Sequence, residues 1–494
     1  MNFVDYLFDN VKDPLKSCIH TNKDTLTYRD LNSHVAKLAT YLNTNLGFGK
    51  ECLLISENSI FFVICYLAII KSGNVALLVE TRIPDDQLTR IISESKIQIS
   101  FVQKKLCTNF INISNVFTDD NLNQLPDDGA CNIPNIVDND TAVVIFTSGS
   151  TGTKKGVMLT HKNLCVNTES IIQYLDLNSE DRICATLPFF YCYGASLLHT
   201  HLRVGGSIVI SDNIFLGGVI RDINTHSCTG FAGVPSTYQI LINKTPFLKE
   251  KLPTLRYMTQ AGGQLQNKYI QQICEAFPEK KFFVMYGATE ATARLSYLPP
   301  HLVLTKLGSI GMGIPGVILE VLDENGKPVK PGETGEIVAR GDNIMKGYYG
   351  DPETTNSVIH ENRLFTGDLA TVDNDGYIYI VGRSKNIIKT CGHRISPNEI
   401  EEFICSLEGI MGCVVIGLPD DVMGEAIIAV VHPGGTDELL LKDKILAECR
   451  RNLPTYKIPK SIIFVQEFPL NASNKIDKLT LAASIAEKLK NEEE

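Results

Sequence analysis

The sequence predicts an α/β protein: a large N-terminal domain of helix-covered sheets with a β-rich subdomain, then a small C-terminal α+β domain. Three observations carry this reading. Through the first half, short apolar runs rich in β-branched residues alternate with segments whose apolar residues recur at helical spacing, the pattern of parallel strands covered by helices. From about residue 308 the texture changes to short strands separated by Asp, Asn and Gly clusters. After a boundary near 382–386, a last piece carries its own helix, strand and helix. At roughly 100–200 residues per domain, a chain of 494 residues has room for this plan.

The elements follow in order. Leu31, Val35, Leu38, Ala39 and Leu42 mark one face of a helix over 31–42. Residues 52–55 read as a short buried strand, and 61–71 as a buried helix closed by Ser72 and Gly73. The run 142–146 is a strand that empties into a loop of Ser, Thr and Gly. Residues 207–211, 282–285 and 318–322 repeat the strand signal. The turns at 323–326 (Asp-Glu-Asn-Gly) and 373–376 (Asp-Asn-Asp-Gly) predict hairpins. In the last piece, 398–407 and 442–451 read as helices and 413–417 as a strand. The domains are therefore placed at 1–382 and 383–494.

Composition excludes several classes. The 46 Lys and Arg residues against 56 Asp and Glu leave a net charge of −10, which argues against a nucleic-acid binder, since phosphate contacts need a basic face. The longest apolar run, 60–70, is about half of the ~20 residues a bilayer span needs. The first residues lack a basic lead and a signal-type apolar core, so the expected location is cytoplasmic. The 14 Cys residues are scattered and form no Cys-x-x-Cys pair, which speaks for reduced, mostly buried thiols over a zinc site or disulfide framework.

Chemistry concentrates first in Phe146-Thr-Ser-Gly-Ser-Thr-Gly-Thr-Lys-Lys-Gly156, directly after a strand. Glycines let backbone amides approach phosphate oxygens, hydroxyls donate hydrogen bonds and lysines supply charge. The Walker pattern Gly-x-x-x-x-Gly-Lys-[Ser/Thr] fits these residues in no register.

This loop resembles the phosphate-binding motif of the adenylate-forming superfamily: acyl- and aryl-CoA ligases, peptide-synthetase adenylation domains and luciferases. Further stretches follow in that family's order. Met285-Tyr-Gly-Ala-Thr-Glu290 is similar to its Tyr-Gly-x-Thr-Glu motif. Thr334-Gly-Glu-Ile-Val-Ala-Arg-Gly341 and Gly347-Tyr-Tyr resemble the next conserved stretch, and Phe365-Thr-Gly-Asp368 with Gly376-Tyr-Ile-Tyr-Ile-Val-Gly-Arg383 the ribose-binding segment. Lys389-Thr-Cys-Gly-His-Arg-Ile-Ser-Pro-Asn-Glu-Ile-Glu401 is similar to the loop that opens a mobile C-terminal domain, and Asn474-Lys-Ile-Asp-Lys478 to the terminal lysine motif. The resemblance runs over about residues 25–480.

The resemblance implies roles. Thr147, Ser148, Gly149, Ser150, Thr151, Gly152 and Lys155 would grip the ATP phosphates. Tyr286 would stack on the adenine beside Gly287, and Asp368 would accept both ribose hydroxyls, with Arg383 on the same side. Thr289 would touch phosphate and Glu290 would hold Mg²⁺. Gly262 and Gly263 would let backbone pass close to nucleotide and acyl group. Lys475 would bridge carboxylate and α-phosphate in the transition state. Lys385 would be the hinge, Arg394 would contact phosphate, and Lys389 would face the thioester-forming tunnel. Phe190, Tyr191, Cys192 and Gly311 would shape the acyl pocket. Three departures stand out: Lys154 replaces the loop's usual proline, Asn474 a common glycine, and Val79-Glu-Thr-Arg82 lacks the family's frequent Asn-Pro or Asp-Pro.

Amino-acid-activating relatives usually carry an Asp in the segment corresponding to 187–210, which here holds no Asp or Glu, and Cys192 falls near that position. A buried ammonium without a counter-charge is costly, so an α-amino acid is disfavoured. The implied activity is ATP-dependent adenylation of a carboxylic acid, with pyrophosphate release, then acyl transfer to the thiol of coenzyme A. The alternative is a ligase that loads a separate phosphopantetheinylated carrier protein with an amino or acyl acid. A remoter one is a non-catalytic nucleotide-binding homologue. The implied cofactors are ATP, Mg²⁺ and coenzyme A or carrier phosphopantetheine.

Overall fold

The computed structural model describes residues 1–110, 113–125, 136–148, 154–211, 216–420, 422–435, 438–472 and 475–493. Three sheets organise them. A seven-stranded sheet runs in the order Gly347–Tyr348, Lys154–Thr160, Thr141–Ser148, Val75–Val79, Glu51–Ile55, Ile97–Val102, Val116–Phe117. Thr141–Ser148 through Val116–Phe117 pair in parallel, whereas Thr141–Ser148 and Lys154–Thr160 form an antiparallel hairpin whose connection is the Ser/Thr/Gly loop.

The helix Ile60–Lys71 explains how this sheet is covered. Every residue from Phe61 to Ile70 is buried. An all-round apolar helix must lie between layers, and this one packs against Tyr28–Asn45 on one side and the sheet on another. Ser59 caps its start by accepting from the Phe62 amide, and Gly73, at φ 76°, lets the chain turn at its end.

A fourteen-stranded sheet holds the rest of the N-terminal part. Ser207–Ile210, Arg182–Ala185, Gly230–Gly233, Tyr257–Gln260 and Lys281–Tyr286 pair in parallel. From Ser296–Leu298 onward the pairing is antiparallel, through Ser309–Gly313, Ile378–Arg383, Arg363–Val372, Gly335–Arg340 and Ile318–Leu322. The β-rich part is thus a continuation of the parallel sheet, and its antiparallel texture begins slightly before residue 308. The turn at 373–376 joins Arg363–Val372 to Ile378–Arg383 as a hairpin.

The C-terminal part has its own five-stranded sheet and core. The strand expected over 413–417 is longer, Ile410–Asp420, and pairs along its length with Gly424–Pro433. The helices are Pro397–Ser406 and Glu438–Asn452. This part docks on the N-terminal end of the helix Asn267–Ala276. The Asn267 amide donates to Glu402 Oε1 at 3.0 Å, Lys268 Nζ to the Ile410 carbonyl at 2.6 Å and the Tyr269 hydroxyl to the Met411 carbonyl at 2.6 Å.

Among the described residues, no helix is long and apolar enough to cross a membrane.

Candidate active site

Strand ends of both large sheets and the small domain converge on one cleft of about 2520 Å³. Thr147, Lys155, Phe190, Tyr191, Gly262, Gly263, Tyr286, Gly287, Thr289, Glu290, Asp368, Arg383 and Lys475 all line it.

The loop strand enters first. Thr147 sits opposite Lys155 in the hairpin, and its hydroxyl donates to the Lys155 carbonyl at 3.4 Å. The Lys155 ammonium lies over the Tyr348 ring, 5.2 Å from its centroid. Lys154, the residue in place of the proline, pairs with Glu80 Oε1 at 2.6 Å, and both side chains are mostly buried. Ser148 closes the strand, while Gly149, Ser150, Thr151 and Gly152 lie outside the described residues, as does Asn474.

Thr289 and Glu290 occupy a single 3-10 turn after the strand Lys281–Tyr286. The Thr289 hydroxyl donates to Cys192 Sγ at 3.4 Å, and Glu290 Oε1 accepts from the Tyr348 hydroxyl at 2.8 Å. Burial first, then the Glu290 carboxylate, pushes the Tyr348 hydroxyl up, so it stays a donor. Gly287 is required by close approach: a Cβ there would stand 2.0 Å from the Ala293 carbonyl oxygen.

Asp368 and Arg383 face each other across the Arg363–Val372/Ile378–Arg383 hairpin. Asp368 is buried. Its Oδ1 accepts from Arg383 Nε at 2.9 Å and its Oδ2 from the Tyr286 hydroxyl at 2.6 Å. Burial, reinforced by Asp368, raises the Tyr286 hydroxyl well above its ordinary value and keeps it protonated.

Lys475 reaches the same cleft from the small domain. Asn471 clamps its backbone on both sides: Oδ1 accepts the Lys475 amide at 3.1 Å, and the Asn471 amide donates to the Lys475 carbonyl at 2.8 Å. The ammonium lies 4.8 Å from the Tyr191 ring centroid. A Cβ on Gly262, whose φ is +88°, would meet Lys475 Cε at 2.9 Å and the Tyr191 hydroxyl at 3.4 Å. Only glycine accommodates both that backbone and that approach.

Other expected residues lie elsewhere. Cys192 is buried behind the wall, and Gly311 sits where a Cβ would strike the Tyr297 carbonyl at 1.8 Å, a strand-packing position outside the cleft lining. Lys389 and Arg394 are exposed neighbours on the hairpin Ile388–Thr390/His393–Ile395, away from the cleft. Lys385 lies in the turn Ser384–Asn386, between the last strand of the fourteen-stranded sheet and the first of the small domain. Sequence reasoning gave no role to Tyr348, quoted only within Gly347-Tyr-Tyr, or to Glu80, since their partners are distant in the chain.

Glu290 stands where Mg²⁺ is implied, and no group of three or more His, Cys, Asp or Glu ligands occurs among the described residues. That suits Mg²⁺, which is commonly held by one or two carboxylates together with substrate phosphates and water.

The AMP-binding enzyme family profile matches residues 9–349, and that of the AMP-binding enzyme C-terminal domain residues 399–475. A feruloyl-CoA synthase of an Amycolatopsis species is 35% identical over 345 residues, 69% of either chain. A 2-succinylbenzoate–CoA ligase of a Geobacillus species is 28% identical over 473 residues, 94% of this chain and 93% of that one. The crystal structure of ATP-bound MatB from Rhodopseudomonas palustris superposes with a TM-score of 0.88 at 27% identity over 98% of both chains, whereas apo MatB gives 0.79. With both domains matched and the motif residues gathered in one cleft, the chain belongs to the AMP-binding enzyme family.

Proposed function

We infer that this protein is an AMP-forming acid–thiol ligase: it adenylates a carboxylic acid with ATP and passes the acyl group to the thiol of coenzyme A. The observation that carries the reading is Lys475, delivered by the small domain to the wall of a cleft that also holds Thr147, Glu290 and Asp368. In the first step a carboxylate oxygen of the acid attacks the α-phosphorus and pyrophosphate leaves. Lys475 neutralises the charge that builds between them, a preorganised electrostatic role. Thr147 and Lys155 hold phosphates. Asp368 keeps a free lone pair on each oxygen for the ribose hydroxyls, and Tyr286 offers its ring to the adenine. Glu290, steadied by Tyr348, would hold Mg²⁺, which offsets phosphate charge when bound.

In the second step the thiol attacks the acyl carbonyl, AMP leaves and the thiol proton passes to solvent. Residues 1–382 form the adenylating body in this reading, and 383–494 turn about Lys385 so that Lys389 replaces Lys475 at the acyl group. The two relatives are named for ferulate and 2-succinylbenzoate, acids unlike enough that kinship alone does not select one.

The test is a carboxylic acid panel with ATP and Mg²⁺, with and without coenzyme A. Pyrophosphate, AMP and an acyl-coenzyme A are expected. AMP without acyl-coenzyme A, together with loading of a separate phosphopantetheinylated carrier protein, would move the acceptor to the carrier. ATP binding without turnover on any acid would overturn the enzyme reading.

A further inference from the structure

Arg294 is 2% exposed, and among the described residues no carboxylate pairs with it. Its Nε donates to Met285 Sδ at 3.4 Å and its Nη1 to the Ala293 carbonyl at 3.3 Å, and its guanidinium carbon lies 3.9 Å from the Tyr193 ring centroid. The Tyr174 hydroxyl also interacts with it. A thioether, one carbonyl, an aromatic face and a phenol are neutral company for a cation with five donors. The surroundings are neutral: Met285 Sδ also accepts from the Tyr174 hydroxyl at 3.0 Å, and the Tyr193 hydroxyl is held by Thr259 Oγ1 at 2.8 Å. Three other cations of this chain differ in being ion-paired, whereas Arg182 is held by Ser207 Oγ and the His226 carbonyl. Arg203 pairs with Asp9, Arg256 with Asp181 and Lys154 with Glu80. A buried charge without a counterion is costly and is normally paired.

The location gives this isolation a meaning. Met285 lines the cleft, so the guanidinium lies one side chain behind its wall. Thr289, also on the wall, touches Cys192, and Cys192 and Tyr193 open the helix Cys192–Arg203 directly after Tyr191, against which Lys475 rests. Burial raises the titration of Tyr191 and Cys192; the Lys475 charge and, more weakly, the Arg294 charge oppose that rise at both. The Arg294 charge is therefore felt at Tyr191, which lines the cleft beside Lys475.

Resting on the acid-adenylating reading above, we propose that Arg294 anchors a second carboxylate on the substrate, making this enzyme selective for dicarboxylic acids. One carboxylate meets Lys475 and reacts; the other pairs with Arg294 and supplies its missing counter-charge. Met285 is unbranched and flexible, and its sulfur is a weak acceptor, so it turns aside for a carboxylate at little cost. An alkyl tail leaves the guanidinium unpaired, and an ammonium is repelled.

The test compares pyrophosphate release from matched acids: butanoate with succinate, hexanoate with adipate, benzoate with terephthalate. For at least one pair the dicarboxylate should have a kcat/KM ~10- to ~100-fold above its partner, the scale of one buried charge-assisted contact. Arg294→Gln should bring that ratio close to one while KM for ATP stays within about twofold, and Arg294→Lys should keep part of it. The wild-type ratio needs no variant, so a folding defect cannot conceal the answer. Monocarboxylates used as well as dicarboxylates by the wild type, or an unchanged ratio in Arg294→Gln, would overturn the proposal and leave the adenylation reading intact. Pyrophosphate release with no acid at all would sink both.

Discussion

The Asp368 carboxylate meets its ligand already holding two hydrogen bonds, from Tyr286 and Arg383. Those bonds fix its orientation, and each oxygen keeps a second lone pair, which the proposed mechanism assigns to a ribose hydroxyl. Asp368→Ala should therefore raise KM for ATP more than KM for the acid and erase discrimination between ATP and 2′-deoxy-ATP. Steady-state kinetics with both nucleotides decides it; a variant that discriminates as well as wild type would show that the ribose is read elsewhere. Residues of this kind were legible because their motifs are local in the chain. Their supports were not. Tyr348 holds Glu290 only because Gly347–Tyr348 adds to the edge of the seven-stranded sheet beside Lys154–Thr160. Lys154 and the segment around Glu80 each read as a departure from the family pattern, yet the two side chains, far apart in sequence, pair with one another, Glu80 directly after the strand Val75–Val79.

Elements were read well where their period was strong. The helix over 31–42 is Tyr28–Asn45 and the strand over 142–146 is Thr141–Ser148, each extended at its ends by capping or by the partner strand. Tertiary pairing set what periodicity could not. The strand Ile410–Asp420 includes Gly412, Gly417 and Pro419, poor strand formers that its long partner Gly424–Pro433 carries along. The docking of the two domains was equally invisible, because it uses a helix end. Glu402 supplies to Asn267–Ala276 the acceptor that an N-terminus otherwise takes from its own cap. Burial raises the Glu402 carboxyl, and the Asn267 amide opposes that rise. The docked state therefore favours the neutral carboxyl relative to an exposed one, and docking weakens as pH rises through the elevated value. Glu402→Gln keeps an acceptor without the charge and should adenylate like wild type or better. Glu402→Ala loses the cap, worth about 1 kcal/mol, and should slow adenylation roughly fivefold. Acyl transfer from supplied acyl-AMP should be unaffected in both if, as proposed, the small domain turns away from this docked arrangement before that step. Equal slowing of the two steps by Glu402→Ala would mean that the contact supports the fold and not the docking.

At the scale of the whole molecule, two lysines of one small domain stand in opposite circumstances. Lys475 is inside the cleft, whereas Lys389 is exposed on a hairpin outside it. The overall arrangement superposes better on ATP-bound than on apo MatB. In the proposed mechanism the two lysines serve the acyl group in succession, which calls for a turn of the small domain; Lys385 lies in the short connection between the sheets. Domain movement of this kind completes one catalytic constellation by dismantling another. The prediction is a separation of half-reactions. Lys475→Ala removes a preorganised charge-stabilising donor, which typically costs on the order of 10²–10³ in rate, and pyrophosphate release should fall by about that factor. Acyl transfer from presynthesised acyl-AMP should stay within roughly tenfold of wild type, because Lys475 has left the site by then. Lys385→Pro should do the reverse: proline fixes φ near −65° at the pivot and hinders the turn without touching the first chemistry. Measuring both rates on both variants settles the matter. Equal losses in the two steps for Lys475→Ala would make that lysine a structural element of the cleft, and unimpaired acyl transfer in Lys385→Pro would move the hinge to another residue of the 384–387 connection.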